Sequence, residues 1–388
     1  MTPYADFTYF GVLLYVVVLA LALAFVRRGV RAWLLVASAG MLVLHCAPAR
    51  VTVATVSFSA LWLAVGWAVF QVLVAVGFTA VRRGGRKAWA FYLAVLLALA
   101  PLLAAKFVPL LEHGWALAFL GISYLTFRSL DVVIGIHDGL ITSLPVAQYV
   151  AFLFMFPTVS SGPVDRFRRF GQDWSRERTR EELVADLDGA VHRLFRGFLY
   201  TFILAFLVKR YWLDPVAAKH GLWPTVSYMY AYSAYLFFDF AGYSAFAVAF
   251  SMVFGIHTPE NFDKPFLASN IKEFWNRWHI TLSAWFRDHV FMRFMLASAR
   301  GGWLRSRVAS SYVGYVLLFG LMGLWHGTAL HYIGYGLYHA ALFIIHDRIV
   351  RFTRGRAWAT SPLWHAAGVF VTFNLVCFGF LIFSGRLG

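Results

Sequence analysis

Phe7 to Val26 reads FTYFGVLLYVVVLALALAFV, twenty residues without a charge, and Arg27, Arg28 and Arg31 follow at once. A hydrocarbon core is crossed by roughly 20 apolar residues in a helix, so this run is long enough to span a bilayer. The arginines mark its cytoplasmic end by the positive-inside rule, which puts the N-terminus outside. No Lys or Arg precedes Arg27, so the run lacks the basic n-region of a cleaved signal peptide and is expected to stay as an anchor.

The pattern repeats along the chain. A second run, about Trp33 to Ala47, returns outward, and a third from Val51 to Val81 comes back and ends in Arg82, Arg83, Arg86 and Lys87. Trp89 to Leu111 then goes out, Glu112, His113 and Gly114 form an external turn, and Trp115 to Ile136 comes in. Later runs cover about Leu194 to Trp212, Tyr228 to Phe254, Tyr312 to Trp325, Tyr332 to Ile345 and Trp364 to Phe383. Composition agrees with this reading: of 388 residues 61% are hydrophobic and only 13% charged, about half the charged share of a soluble domain. The expected fold is an all-α polytopic membrane protein of about ten to twelve helices, one continuous domain over residues 1–388. The net charge of +16 then reflects basic loops held against anionic lipid, and no nucleic-acid partner is expected. Cys46 and Cys377, the only cysteines, make neither a disulfide framework nor a zinc site.

Parity fails at one segment. If Val146 to Ser161 crossed as a simple span, the loop carrying Arg166, Arg168, Arg169, Arg176, Arg178 and Arg180 would lie outside. With that loop cytoplasmic, the segment is re-entrant or broken, and Phe156-Pro157 and Gly162-Pro163 supply the breaks. Non-helical backbone at that depth requires protein or a water-filled cavity around it.

Ionisable residues at membrane depth are costly and mark function or a buried pair. Read at helical period, Lys272, Asn276, His279, Ser283 and Arg287 fall on one stripe, with Phe274, Trp278, Leu282 and Trp285 on another. Periodicity does not choose between an interfacial amphipathic helix and a functional one. The second site is Gly323-Leu324-Trp325-His326-Gly327-Thr328, at the end of an otherwise uncharged run. Its glycines would let backbone or ligand approach the imidazole, and a neutral imidazole is the natural general base near pH 7. His331, His339 and His346 follow, but none pairs with His326 at the i, i+4 spacing of a helical metal site, and no metal is expected. Asp239 is a buried charge for which an arginine of a neighbouring helix is the expected partner. No glycosidase-like carboxylate pair, phosphate loop or G-x-S-x-G elbow is present. The imidazoles that remain suit proton abstraction from a hydroxyl. No internal repeat of the kind that builds many transporters is visible.

Four stretches resemble the membrane-bound O-acyltransferases in order and spacing: residues 156–167 (FPTVSSGPVDRF), 261–266 (NFDKPF), 273–288 (EFWNRWHITLSAWFRD) and 323–327 (GLWHG). The likeness runs from about residue 100 to 350, and the SSGPVDRF stretch looks most like the branch that D-alanylates teichoic acids. The resemblance implies a ring of helices with re-entrant segments around a central tunnel, in a multi-pass protein of the bacterial inner membrane. It carries the family's invariant histidine to His326 and its second motif position to His279. It implies no tightly bound cofactor: the donor would be a D-alanyl thioester on the phosphopantetheine arm of a small acidic carrier protein. The acceptor would be a hydroxyl of an envelope polymer, teichoic acid or an analogous glycopolymer. Asn276, Ser283, Arg287 and Trp325 are candidates for lining the tunnel. Polysaccharide O-acetyl transfer within the same superfamily is the nearest alternative, and a transporter with a histidine proton relay is the alternative from another class.

Overall fold

The structure, a computed structural model, describes residues 2–53, 56–111 and 118–387. α1 (Phe7–Phe25) starts where the Asp6 carboxylate accepts the amide of Tyr9 at 2.8 Å, and α2 (Val30–Cys46) follows a tight reversal. Arg27 (φ 54°) and Gly29 (φ 76°) turn the chain there in the left-handed region.

The apolar run from Val51 to Val81, expected as one span, is divided. Strands β1 (Arg50–Val53) and β2 (Val56–Ser59) pair antiparallel with Val51 opposite Phe58, and α3 begins only at Ala60 (Ala60–Arg83). The β-branched residues at 51, 52, 53 and 56 favour extended backbone, and Ser59 then caps α3 by accepting the amide of Leu61. α4 (Ala88–Leu111) comes next. The expected turn at Glu112, His113 and Gly114 and the expected start at Trp115 lie outside the described residues. The following helix, α5 (Ile122–Asp138), begins after Gly121, where a Cβ would sit 2.3 Å from the Val159 carbonyl oxygen.

The segment expected to be broken is broken. α6 (Val146–Phe154) has nine residues, about 14 Å of rise, which is half a bilayer core. A single 3-10 turn, Phe156–Thr158, leads into irregular, largely buried chain that runs to α7 (Phe167–Ser175). Arg128 of α5, 1% exposed, supplies the missing donors: its guanidinium donates to the carbonyls of Phe152 (2.9 Å), Leu153 (2.9 Å) and Thr158 (2.8 Å). Tyr4 Oη donates to the Pro157 carbonyl at 3.1 Å. Asp131, one turn beyond Arg128, accepts from the Arg166 guanidinium at 2.9 Å and the Phe167 amide at 3.0 Å, fixing the start of α7.

The remaining helices are α8 (Arg180–Ala217), with wider π turns at Leu199–Ala205 and Lys209–Leu213, α9 (Leu222–Val253), α10 (Ile271–Arg277), α11 (Ile280–Phe286), α12 (Met292–Gly301), α13 (Arg307–His326), α14 (Leu330–Thr353) and α15 (Pro362–Phe383). Seven of the described helices, α1, α3, α4, α8, α9, α13 and α15, are long and apolar enough to cross a membrane. α2 and α5 have seventeen residues each, and α14 has 24 with a more polar sequence. The chain packs as two compact units, Met1–Arg196 with Tyr243–Pro259, and Gly197–Gly242 with Glu260–Gly388. The first holds the broken segment, and the second holds His279 and His326.

Candidate active site

The single stripe from Lys272 to Arg287 does not exist as one helix. α10 ends at Arg277, and His279 adopts φ 43°, ψ 50° before α11 begins. A left-handed backbone costs a non-glycine residue roughly 1–2 kcal/mol, so something must hold it. That something is the segment Asn261 to Asp263: the Asp263 amide donates to the Arg277 carbonyl and the Ile280 amide to the Asn261 carbonyl, both at 3.0 Å, with Phe262 and Trp278 joined by an isolated antiparallel bridge. Thr281 Oγ1 locks the turn by donating to Asn261 Oδ1 at 2.6 Å. The NFDKPF stretch therefore serves as the clamp on His279. The position of Asn261 in that stretch was the only signal of this in the sequence.

The break separates the residues that the stripe had grouped. His279 is 4% exposed, with the edge of Phe240 at 4.7 Å between ring centroids, and Ser283 stays with the turn, donating from its hydroxyl to the Trp278 carbonyl at 3.2 Å. Asn276 is exposed, and so is Arg287, paired with Asp288 at 3.0 Å. Lys272 is drawn off to Asp347 (2.5 Å) and the Tyr315 hydroxyl (3.0 Å).

His326 is the last residue of α13, half-buried at the helix end. Trp325 lies beside it at 4.6 Å and Phe383 meets it edge-on at 4.9 Å, so the imidazole sits in an aromatic surround at the mouth of a helix hairpin. It is close enough to His279 to act on it electrostatically. Burial first, and His326 second, push the His279 imidazole down to about 3, which keeps it neutral at physiological pH.

The flanking glycines permit close approach, which backbone makes at Gly323 and the Tyr332 ring at Gly327. A Cβ on Gly323 would lie 2.4 Å from the Tyr332 carbonyl oxygen, and one on Gly336 of α14 would lie 2.2 Å from the Phe319 carbonyl oxygen. At Gly327 a Cβ would meet the Tyr332 ring at 2.4 Å. The pairing of α13 with α14 thereby sets where the His326 ring stands.

His339 behaves differently from both. It is fully buried in α14, with the Trp275 indole donating to its Nδ1 and Gly379 of α15 packed against its other edge. Among the described residues no three His, Cys, Asp or Glu side chains gather as a metal site. Asp239 has no arginine partner among the described residues, so the expected ion pair is corrected. Arg128 was overlooked, although an arginine inside an apolar run was signal enough.

A multi-pass membrane protein that places two imidazoles together at a clamped turn and a helix end is equipped for proton transfer at a hydroxyl. The family model for the membrane-bound O-acyltransferase family matches residues 133–385, which takes in all four motif stretches. The chain is 44% identical over 329 residues to a teichoic acid D-alanyltransferase of Bacillus subtilis (strain 168), covering 82% of this chain and 83% of that protein. It is 44% identical over 340 residues to a teichoic acid D-alanyltransferase of Lacticaseibacillus rhamnosus, covering 83% and 84%. Against a probable alginate O-acetylase of Pseudomonas fluorescens the identity is 31% over 275 residues, 69% of this chain and 51% of that one. The chain belongs to the membrane-bound O-acyltransferase family, and it is a multi-pass membrane acyltransferase.

Proposed function

We propose that this acyltransferase moves a D-alanyl group from a phosphopantetheine thioester on a small acidic carrier protein to hydroxyls of teichoic acid or an analogous envelope glycopolymer. The observation that carries this reading is the pairing of His326, half-buried at its helix end, with the buried neutral His279. The 44% identity to teichoic acid D-alanyltransferases supports the acyl group and the acceptor class. In the step itself, His326 takes the proton of the acceptor hydroxyl while that oxygen attacks the thioester carbonyl. The C–S bond then breaks, the sulfur leaves as thiolate and takes up a proton, and the ester remains on the polymer. General-base assistance contributes ~10²–10⁴ in rate, with positioning and oxyanion stabilisation supplying the rest. His279, held neutral, orients or polarises one reactant, and Trp325 and Ser283 line the path to it. The basic segments at Arg27 to Arg31, Arg82 to Lys87 and Arg166 to Arg180 face the cytoplasm, where the carrier arrives. Acetyl transfer to a polysaccharide is the second reading, supported by the 31% identity to an alginate O-acetylase. Incubating membranes with labelled D-alanyl carrier protein decides between them. Label in an envelope polymer supports D-alanyl transfer, and its absence together with labelling from an acetyl donor overturns it.

A further inference from the structure

The first compact unit contains a cavity of about 610 Å³ that the chemistry above does not use. It lies between the α1–α2 reversal, the end of α7 and the start of α8. Arg27, Arg28, Arg31, Arg176, Arg178 and Arg180 line it, against only two acidic side chains, Asp173 and Glu177.

Part of this charge is already matched. Arg178 donates to Asp186 at 3.1 Å and to the Met252 and Val253 carbonyls, Arg176 pairs with Glu182, and Arg31 donates to the Arg176 carbonyl at 3.1 Å. Asp173 is taken by Arg169 (2.7 Å) and the His257 amide (2.7 Å). Arg28 and Arg180 have no hydrogen bond or ion pair among the described residues, and Arg27 acts only at a distance, on exposed Glu181. The first turn of α2 lines the same cavity, and its cap Gly29 offers no side-chain acceptor, so free amides add to the positive field. Guanidinium forks beside open helix amides suit the oxygens of a phosphate ester.

The rest of the wall points to the source of that phosphate. Ala24, Phe25, Val30 and Leu34 line the cavity, and Phe25 and the next residue, Val26, are 51% and 64% exposed. They continue the exposed apolar surface of α1 formed by Leu14, Val18 and Leu19. A free phosphate has no use for such a strip, whereas two acyl chains do.

We propose that this cavity binds the phosphodiester headgroup of an anionic phospholipid, whose acyl chains run along the exposed apolar face of α1. The test uses the purified full chain in detergent, with dioleoylphosphatidylglycerol and dioleoylphosphatidylcholine offered in native mass spectrometry. The expected result is retention of phosphatidylglycerol at least about tenfold above phosphatidylcholine. The double variant Arg28→Gln/Arg180→Gln should lose it by about tenfold or more, as expected when two basic residues near a charged headgroup are removed. Arg82→Gln/Arg83→Gln, at the end of α3, should keep it. Should the first variant not fold, a headgroup-photoreactive phosphatidylglycerol on the wild-type chain gives the answer: labelling within residues 24–34 or 173–183 supports the site. Equal retention of the two lipids, unchanged binding by Arg28→Gln/Arg180→Gln, displacement by equimolar sn-glycerol 3-phosphate, or photolabel confined elsewhere would each overturn it.

Discussion

The Trp275 indole donates to Nδ1 of His339 across 3.2 Å, joining α10 to α14 inside the second unit. With His339 fully buried and Gly379 against its far edge, this histidine is a packing and hydrogen-bonding element, unlike His326 on the neighbouring helix. His339→Ala should therefore destabilise by ~2–4 kcal/mol, from the cavity it leaves and the indole N–H it orphans. Turnover per folded molecule should stay within a few-fold of wild type. Thermal unfolding combined with activity normalised to monodisperse protein checks both parts.

Gly323 and Gly336 set the separation of the helix hairpin that carries His326. Adding a methyl at either position drives a Cβ into backbone carbonyl oxygen at 2.4 or 2.2 Å, which side-chain rotation cannot relieve. Gly323→Ala and Gly336→Ala should each cost about 1–3 kcal/mol. Gly320→Ala, on the same helix with nothing within 4 Å, should be neutral or stabilising by up to ~1 kcal/mol. Melting temperatures of the three variants measured side by side give the comparison.

In the proposed mechanism Asn261 acts on catalysis through His279, whose left-handed backbone it clamps. Asn261→Ala and Thr281→Val each remove the 2.6 Å hydrogen bond and should lower kcat by roughly tenfold, the equivalent of one buried hydrogen bond, with little change in KM. Because both act through one bond, the double variant should lose little more than either single one. A rise in KM with kcat preserved would assign the pair to substrate binding instead.

The His279 imidazole, pushed down to about 3 by burial, binds its proton in the unfolded chain before it does in the folded one. Its contribution to stability is complete above about pH 6.5 and drains away as pH falls toward 3. At pH 5 this amounts to about 2 kcal/mol. His279→Gln should flatten that part of the stability curve, measured as melting temperature from pH 7.5 to 4.5. A variant whose acid sensitivity equals wild type would show that the ring is not held neutral by burial.

The membrane class was legible from Phe7 to Val26 outward because spanning helices are written in uninterrupted local composition. The break near Phe156-Pro157 was legible for the same reason, since proline acts on its immediate neighbours. Two local misreadings have a common cause. The paired strands Arg50–Val53 and Val56–Ser59 hid inside an apolar run whose periodicity fits strand and helix alike. The turn at His279 hid inside a run with good helical period, because what breaks it is the distant Asn261 to Asp263 segment upstream. His326 and His279 themselves were readable as residues, and the family motifs marked both. Their neighbours were not readable: Asn276 and Arg287 shared the helical stripe on paper, while Asn261 and Thr281 share the turn in space.

The central claim is that His326 removes the proton of the acceptor hydroxyl. Its test is single-turnover acyl transfer from labelled D-alanyl carrier protein to acceptor, using purified, folded His326→Ala that still binds the carrier. The account predicts a fall of about two orders of magnitude or more, the range expected for losing a general base. Transfer at a near-normal rate would contradict it.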